Sequence, residues 1–450
     1  MTFNFKKVLL GLTILLFSMP LLAQEGGATG AYSPYSIYGI GDLAKEGNVF
    51  TKSMGGVGIA TRNKRFINTA NPAAVTARDS LAFMADFGLA QTNKIYHQNI
   101  SGSHIKSASN TFNIQSFTMS FPIYKSSAFM VGFTPFSDLG YAYNSYVEDK
   151  DIIGITNNIS YQSYGEGGIH QAFVAAAVTF WKKLSLGVQG NYYFGAIDKV
   201  SNQNYTNASI RSINSGNTMS LRGVTGKFGL QFEQKLGGDV SMILGATYRM
   251  KTNVKGYSTS YRYATTSGVT DSLRYINDTL GQNSKVSFAD EIGVGLTVKS
   301  GEKWTAEFNY LRAGWDKSNF DNVEGLAVNA LNSKFCSIFT NSFRAGFEIT
   351  PNRDDVRYYL KRCTYRAGAY HEQMYYMLDG NNVTATGVTL GITLPVYRLY
   401  NGISLGVDFG KKGSTKPTAD KNNSMIREDY VTFNIGFNIH DIWFRRIRFE

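Results

Sequence analysis

The feature that most limits what this chain can fold into is an alternation of apolar with small or polar residues at a period of two. Near the C-terminus Val431, Phe433, Ile435, Phe437 and Ile439 fall on one face, with Thr432, Asn434, Gly436 and Asn438 on the other. Val388 to Leu394, Ile403 to Phe409, Ile292 to Val298 and Phe228 to Phe232 repeat the arrangement around Gly, Thr, Ser and Gln. A period of two places every apolar residue of a strand on the same side of a sheet. Composition points the same way: 46 Gly, 28 Tyr and 30 Phe against 8 Pro and 2 Cys, with 17% charged residues. Such a chain is neither disordered nor a coiled coil. No run of 18 apolar residues follows the first segment, which excludes a helical membrane protein.

Strands are predicted near 80–90, 112–121, 127–136, 170–180, 184–197, 217–235, 240–252, 286–299, 303–312, 339–350, 362–376, 385–394, 402–410 and 428–444. Tight links at Pro122–Ser127, Trp181–Lys183, Leu236–Asp239, Ser300–Glu302 and Pro395–Asn401 alternate with long ones at 137–169, 198–216, 253–285 and 313–338. Pro351–Lys361 is long for a turn and Met377–Thr384 short for a loop. Short turns at one rim and long loops at the other describe an outer-membrane barrel. The predicted fold is therefore all-β: a transmembrane antiparallel β-barrel of about fourteen strands. Its apolar face meets lipid, and closure leaves no unpaired edge. Aromatic pairs at strand ends, such as Phe180–Trp181 and Trp443–Phe444, suit a girdle at the membrane interface.

The ends complete the plan. Lys6 and Lys7 precede a mostly apolar stretch from Val8 to Leu22, and Ala23 closes it, so residues 1–23 read as a signal peptide cleaved before Gln24. No cysteine follows the cleavage point, which argues against a lipid anchor. Residues 24–79 lack period two and form a plug, or hatch, inside the lumen; 80–444 form the barrel; 445–450 are a short basic tail. Fourteen strands enclose a lumen too wide for wall side chains alone to fill. The expected location is the outer membrane, among its lipid and lipopolysaccharide. The net charge of +12 is diffuse, so nucleic acid is not an expected partner. The closing strand is similar to the C-terminal signal read by the barrel-assembly machinery during insertion, although Arg445 to Glu450 follow it.

The hatch carries the informative motif. Ser53 to Ala60 reads S-M-G-G-V-G-I-A, with Gly55, Gly56 and Gly58, and Asn71-Pro72-Ala73 follows. Asn at an N-cap with Pro at the first helical position starts a helix. With fourteen strands behind it, this segment resembles the FadL/TodX family of outer-membrane hydrophobe transporters. Residues 33–43 (SPYSIYGIGDL) are not part of that family's pattern and mark a divergent branch. The resemblance implies a hatch whose Asn71-Pro72-Ala73 contacts a kinked third strand, and a wall gap through which hydrophobic ligands, such as fatty acids, leave sideways without a cofactor. Gly132 and Pro135 lie in the third strand; Pro135 either breaks its pairing or ends it near the outer rim. Arg249, Lys251, Arg344 and Arg366 point inward by parity and are candidates for a ligand carboxylate. Glu233, Glu307, Glu348, Glu372 and Asp408 point inward too, so mutual pairing competes. A second function remains open: relatives of this fold serve type IX protein secretion as protein-binding partners.

Enzymatic signals are weak. Gly402-Ile-Ser-Leu-Gly406 has the spacing of a hydrolase elbow but begins a regular strand, whereas the elbow needs a strand–turn–helix. The five histidines lack metal-ligand spacing; His97 and His104 share the first outer loop. Cys336 and Cys363 are predicted at opposite ends of neighbouring strands and therefore free. Between 318 and 331, Phe320, Val323, Ala327, Ala330 and Leu331 have helical spacing, which predicts an amphipathic helix in an outer loop.

Overall fold

The computed structural model describes residues 32–78, 81–100, 103–124, 126–146, 159–205, 210–266, 269–280, 285–323, 325–327, 334–397, 401–415 and 425–442. The expected signal segment, the basic tail and Trp443–Phe444 lie outside them. Fourteen antiparallel strands close one barrel. In chain order they are β1 (Ala82–Ile100), β2 (Ser103–Tyr124), β3 (Ser127–Tyr146), β4 (Ile159–Phe180), β5 (Leu184–Tyr205), β6 (Ser212–Gly237) and β7 (Val240–Arg249, continued by Thr252–Thr266). Then follow β8 (Val269–Leu280, Val286–Phe288 and Glu291–Ser300), β9 (Trp304–Ala313), β10 (Phe335–Ser337 and Thr340–Ile349), β11 (Thr364–Leu378), β12 (Asn381–Tyr397), β13 (Asn401–Gly413) and β14 (Arg427–Ile442). Closure runs from Arg427 opposite His97 to Ile442 opposite Ala82.

The two faces separate as the alternation requires. Phe308, Phe347, Leu390, Leu405, Phe433 and Phe437 are exposed on the outside, while Glu307, Glu348, Thr389, Ser404, Asn434 and Asn438, one residue along, are buried inside. An apolar exterior of this kind is the lipid-facing band of an outer-membrane barrel.

Three expectations need correction. The segments 137–169, 198–216 and 253–285 are not mainly loops: β3 to β8 continue through much of them as paired hairpins. At their outer ends the buried face becomes partly apolar, with Leu139, Tyr141, Ile169 and Val254 packed inward, so the rhythm of apolar outside and polar inside is lost. At 22 residues in β2 and 26 in β6, the strands far exceed the ~9–11 that span a membrane. The helix expected between 318 and 331 is replaced, among the described residues, by short 3-10 turns at Trp315–Lys317 and Phe320–Asn322. His97 and His104 stand on paired strands, not in a loop. The two links that fitted poorly are real: Pro351–Lys361 includes a one-turn helix, Tyr359–Arg362, and Asp379–Gly380 turns the chain tightly with both residues left-handed.

The described N-terminal residues 32–78 run down the lumen from the outer end of β3 to the inner end of β2. Ser33 N–H donates to the Gly140 carbonyl at 2.8 Å, and Arg78 reaches the Ser120 hydroxyl at 2.5 Å. The wall receives this segment on glycines that face one another across neighbouring strands: Gly88 and Gly436, Gly391 and Gly406, Gly346 and Gly368, Gly245 and Gly295, Gly187 and Gly229. Absent side chains let backbone lie on backbone. A Cβ at Gly436 would come within 2.8 Å of Val49, and one at Gly229 within 2.8 Å of the Pro72 ring. Gly229→Val therefore overpacks the seat, at about 1–3 kcal/mol. We expect the variant barrel to keep its heat-modifiable mobility while residues 32–78 become cleavable by protease; unchanged resistance would show that the close seating is not needed.

Candidate functional site

Each part of the hatch motif has a defined seat. Asn71 caps the turn Pro72–Thr76: its Oδ1 accepts from Ala73 N–H at 2.9 Å, while Nδ2 donates to the carbonyls of Ile59 at 2.7 Å and Leu230 at 3.2 Å. This side chain thus ties the plug to β6. The following turn touches β3 as well, where Val75 packs with Ala128 and Met130. Gly55 and Gly56 both take left-handed backbone, with φ of 76° and 77°. Gly55 N–H donates to Thr389 Oγ1 at 2.7 Å, and Gly58 packs against Ala70 with its carbonyl bonded to Asn68 at 2.6 Å.

The wall is incompletely zipped next to Gly132 and Pro135. β2 and β3 pair from Tyr124 and Ser127 up to Phe117 and Phe133, and no further. Beyond that point, among the described residues, β2 pairs with no strand but β1. Pro135 sits at a register shift against β4, between Pro135 and Ser137. The freed edge of β3 bonds to the plug instead: Asp42 and Leu43 pair with Asp138 and Ser137, and Ala44 N–H donates to the Phe136 carbonyl at 2.9 Å. Proline lacks an amide, so pairing fails where Pro135 stands and the plug takes over the neighbouring groups. Gly132 leaves room for the Phe173 ring, whose Cε1 would lie 2.8 Å from a Cβ there.

Behind this gap lies a cavity of about 140 Å³, bordered by Pro135, Phe136, Phe173, Lys45, Glu46 and Trp315. Two of the predicted cations, Arg249 and Arg344, border it too. Arg249 bridges Glu46 at 3.0 Å and Glu291 at 3.1 Å; Arg344 pairs with Glu372 at 2.8 Å and donates to the Gly56 carbonyl at 3.0 Å. Arg366 is elsewhere, bonded to Glu348 at 2.9 Å and 4.0 Å from the Phe50 ring centre. Lys251 donates to the Lys317 carbonyl at 2.8 Å. Sequence parity named Arg249, Arg344, Arg366, Glu233, Glu348, Glu372 and Asp408 on the wall, but not Glu291 or Lys227, and it missed the plug partners. Lys45 binds Asp408 at 3.1 Å, Glu46 binds Lys227 at 2.5 Å, and Arg62 approaches Glu233 at 3.5 Å. These plug residues lie in irregular backbone, where no period assigns a face.

The residues that departed from the family pattern close the outer mouth. Tyr35, Ile37, Tyr38 and Ile40 join Trp315, Phe320, Val323 and Leu326 of the β9–β10 loop in one buried cluster with Tyr375, Tyr376 and Phe288 of the wall. Buried Lys199 fastens it, donating to the carbonyls of Ile37 at 2.7 Å, Gly39 at 2.9 Å and Gly325 at 2.7 Å. Gly39 N–H reaches the Leu326 carbonyl at 3.1 Å. Cys336 and Cys363 are free thiols.

A fourteen-stranded antiparallel barrel of this kind has the fold of FadL-type barrels. Solved structures agree on the fold. The P. putida toluene transporter TodX matches with a TM-score of 0.61 at 15% identity, covering 90% of this chain and 100% of that one. A Pseudomonas aeruginosa FadL homologue matches at 0.56 and 10% identity, over 89% and 98%. The CymD monoaromatic hydrocarbon channel matches at 0.53 and 13%, over 89% and 98%. A comparison with curated protein sequences finds no match. Within this class, the family model BamG matches residues 5–450, and the chain belongs to the BamG family.

Lys199→Met leaves three carbonyls without their ammonium, at about 1–3 kcal/mol for a buried group left unsatisfied. We expect the outer cap to loosen, read as higher ion conductance in planar bilayers than the unmodified chain; equal conductance would mean that the cap holds without the clamp.

Proposed function

We propose that this protein is an outer-membrane barrel that works as a protein-binding component of the barrel-assembly machinery, using the FadL-type fold as a filled scaffold. The observation that carries this reading is the closed outer mouth, where plug and loop share one aromatic core under the Lys199 clamp. A conduit needs a continuous apolar path, and a packed core at the mouth favours a filled scaffold over an open one. The cavity below it, about 140 Å³, is smaller than the roughly 300–1,000 Å³ of small-molecule pockets. Its border carries Arg249, Arg344, Glu46, Glu291 and Glu372, already joined in ion pairs. The BamG family name supplies the link to barrel assembly. In this reading the machinery is a working partner as well as the route of insertion, and lipid and lipopolysaccharide surround the wall. The protein-binding role weighed from the sequence is kept, with barrel assembly in place of type IX secretion.

A second reading is favoured by the gap between β2 and β3, which adjoins the cavity at Pro135 and Phe136. There, a hydrophobic small molecule passes the hatch and leaves sideways by Gly132 and Pro135, with Arg249 or Arg344 meeting an acidic head group. Both readings describe a protein that performs no chemistry on its ligand.

The test is to isolate the full chain from its native outer membrane in mild detergent and identify bound proteins and lipids by mass spectrometry. We expect the barrel-inserting subunit of the assembly machinery at near-equal amount, and no enriched hydrophobe. A fatty acid or hydrocarbon retained near one per chain, without an assembly subunit, would overturn this conclusion in favour of lateral transport.

A further inference from the structure

The link between β10 and β11 has no part in the gap or the cap, and its helical turn stands on the lipid side of the barrel. Tyr365 faces outward on β11, between the buried Thr364 and Arg366, and its hydroxyl donates to the Leu360 carbonyl at 3.0 Å. Cys363 is fully buried against the same turn, its thiol donating to the Tyr359 carbonyl at 3.6 Å. The Tyr359 hydroxyl donates to the Pro395 carbonyl of β12 at 2.9 Å. The turn Tyr359–Arg362 is thus fastened to the outer surface of the wall at its inner rim. What the link exposes there is apolar: Val356 is 96% exposed and Leu360 65%, with Tyr358 also exposed. Clustered apolar surface of this kind marks a contact site, and here it continues the lipid-facing band beyond Ile349.

The lumen side of the same link is cationic. A cavity of about 20 Å³ lies there, bordered by Arg353 and Arg362 of the link, Arg65 of the plug and Asn401 of β13. Glu302, in the β8–β9 turn, pairs with Arg353 and lies 3.5 Å from Arg65. Partial burial raises its carboxyl, but Arg65 and Arg353 outweigh that and hold it below the usual carboxylate range. Arg362 forms no ion pair among the described residues; its guanidinium carbon lies 5.9 Å from the centre of the Tyr359 ring. Arg362 therefore reaches both sides of the rim, bordering the cavity and resting on the turn that faces lipid.

We propose that this rim holds one anionic phospholipid, its phosphate at the Arg65–Arg353–Arg362 cavity and its acyl chains along Leu360 and the neighbouring wall. The guanidinium fork matches phosphate oxygens, and basic residues beside apolar anchors favour anionic lipid. A cavity of this size holds about one water-sized group, so the phosphate enters by an oxygen while the rest of the headgroup bends over the rim. Continuity with the lipid band favours a membrane lipid over a soluble anion or an acidic peptide. The proposal stands apart from either proposed function, since a phospholipid at the rim is neither the fatty acid nor the hydrocarbon of the transport reading.

The test uses the full chain in detergent, delipidated and then titrated with phosphatidylglycerol, phosphatidylcholine or inorganic phosphate, with bound ligand counted by native mass spectrometry. We expect one phosphatidylglycerol per chain, held more tightly than phosphatidylcholine. Arg353→Gln and Arg362→Gln should each weaken it by about tenfold, the scale of one charge-assisted hydrogen bond. Leu360→Ser should weaken the lipid and leave phosphate unaffected. Heat-modifiable mobility verifies that each variant barrel is folded. Equal binding of the two lipids, unchanged in the folded arginine variants, would overturn the proposal and leave only the ordinary lipid shell. Phosphate binding as tight as phosphatidylglycerol, with no effect of Leu360→Ser on either, would overturn it in favour of a soluble anion. Loss of a co-purifying assembly subunit from the arginine variants, with no lipid preference in wild type, would assign the rim to a protein instead.

Discussion

Everything else in this molecule depends on the contact between plug backbone and wall backbone. A fourteen-stranded lumen is too wide for wall side chains to fill, and here it is filled by a second run of chain laid against glycines. Backbone brought that close must find partners for its own amides away from water. The wall supplies them from the same inward face: Thr389 accepts from Gly55 N–H at 2.7 Å, and Glu307 accepts from Ala60 N–H at 2.9 Å. Gln231 donates to the Ile59 carbonyl at 2.9 Å. The inward Gly, Thr, Gln and Glu that resemble the lining of a watery channel are thus the complement of one particular segment. Wall and plug specify each other.

Charge adds selectivity to that fit. Lys45, Glu46 and Arg62 on the plug meet Asp408, Lys227, Arg249 and Glu233 on the wall. Buried ion pairs add little net stability, because desolvation offsets most of the attraction, but separating one partner leaves a buried charge at a cost of about 3–5 kcal/mol. A plug shifted by one wall residue would lose several such partners at once. Glycine contacts alone would tolerate sliding; glycine contacts with charges on both sides do not.

How much of this was legible in the sequence follows from where a period exists. The strands and their count were readable because lipid on one side and plug on the other impose strict alternation. The outer ends of β3 to β8 were not, because there apolar residues such as Leu139, Tyr141 and Val254 turn inward to the cap and the two faces no longer differ in a fixed sense. Asn71 and Pro72 were readable as a turn start, since capping is local chemistry; that Asn71 would also reach the Leu230 carbonyl was not, because 159 residues separate them. Wall charges could be assigned by parity, while Lys45, Glu46 and Arg62 had no parity to use. Residues 33–43 stood out only as a departure from the family pattern. Their role required the loop carrying Trp315 and Phe320, which approaches them only after the barrel has closed. His97 and His104, seven positions apart, become neighbours through hairpin register alone.

The position of the gap ties these layers together. Beyond Phe117 and Phe133, β2 and β3 part, and β3 turns its free carbonyls and amides to Asp42, Leu43 and Ala44. The plug therefore serves as a substitute strand on one side of the gap while its preceding residues build the cap above. Opening the mouth would pull on the same stretch, Ser33 to Ala44, that satisfies the β3 edge, so cap and wall are mechanically coupled. A transporter gains from a hatch that yields locally. This one is joined to the mouth, the wall and the gap by one continuous segment, and that coupling suits a rigid body offered to a protein partner.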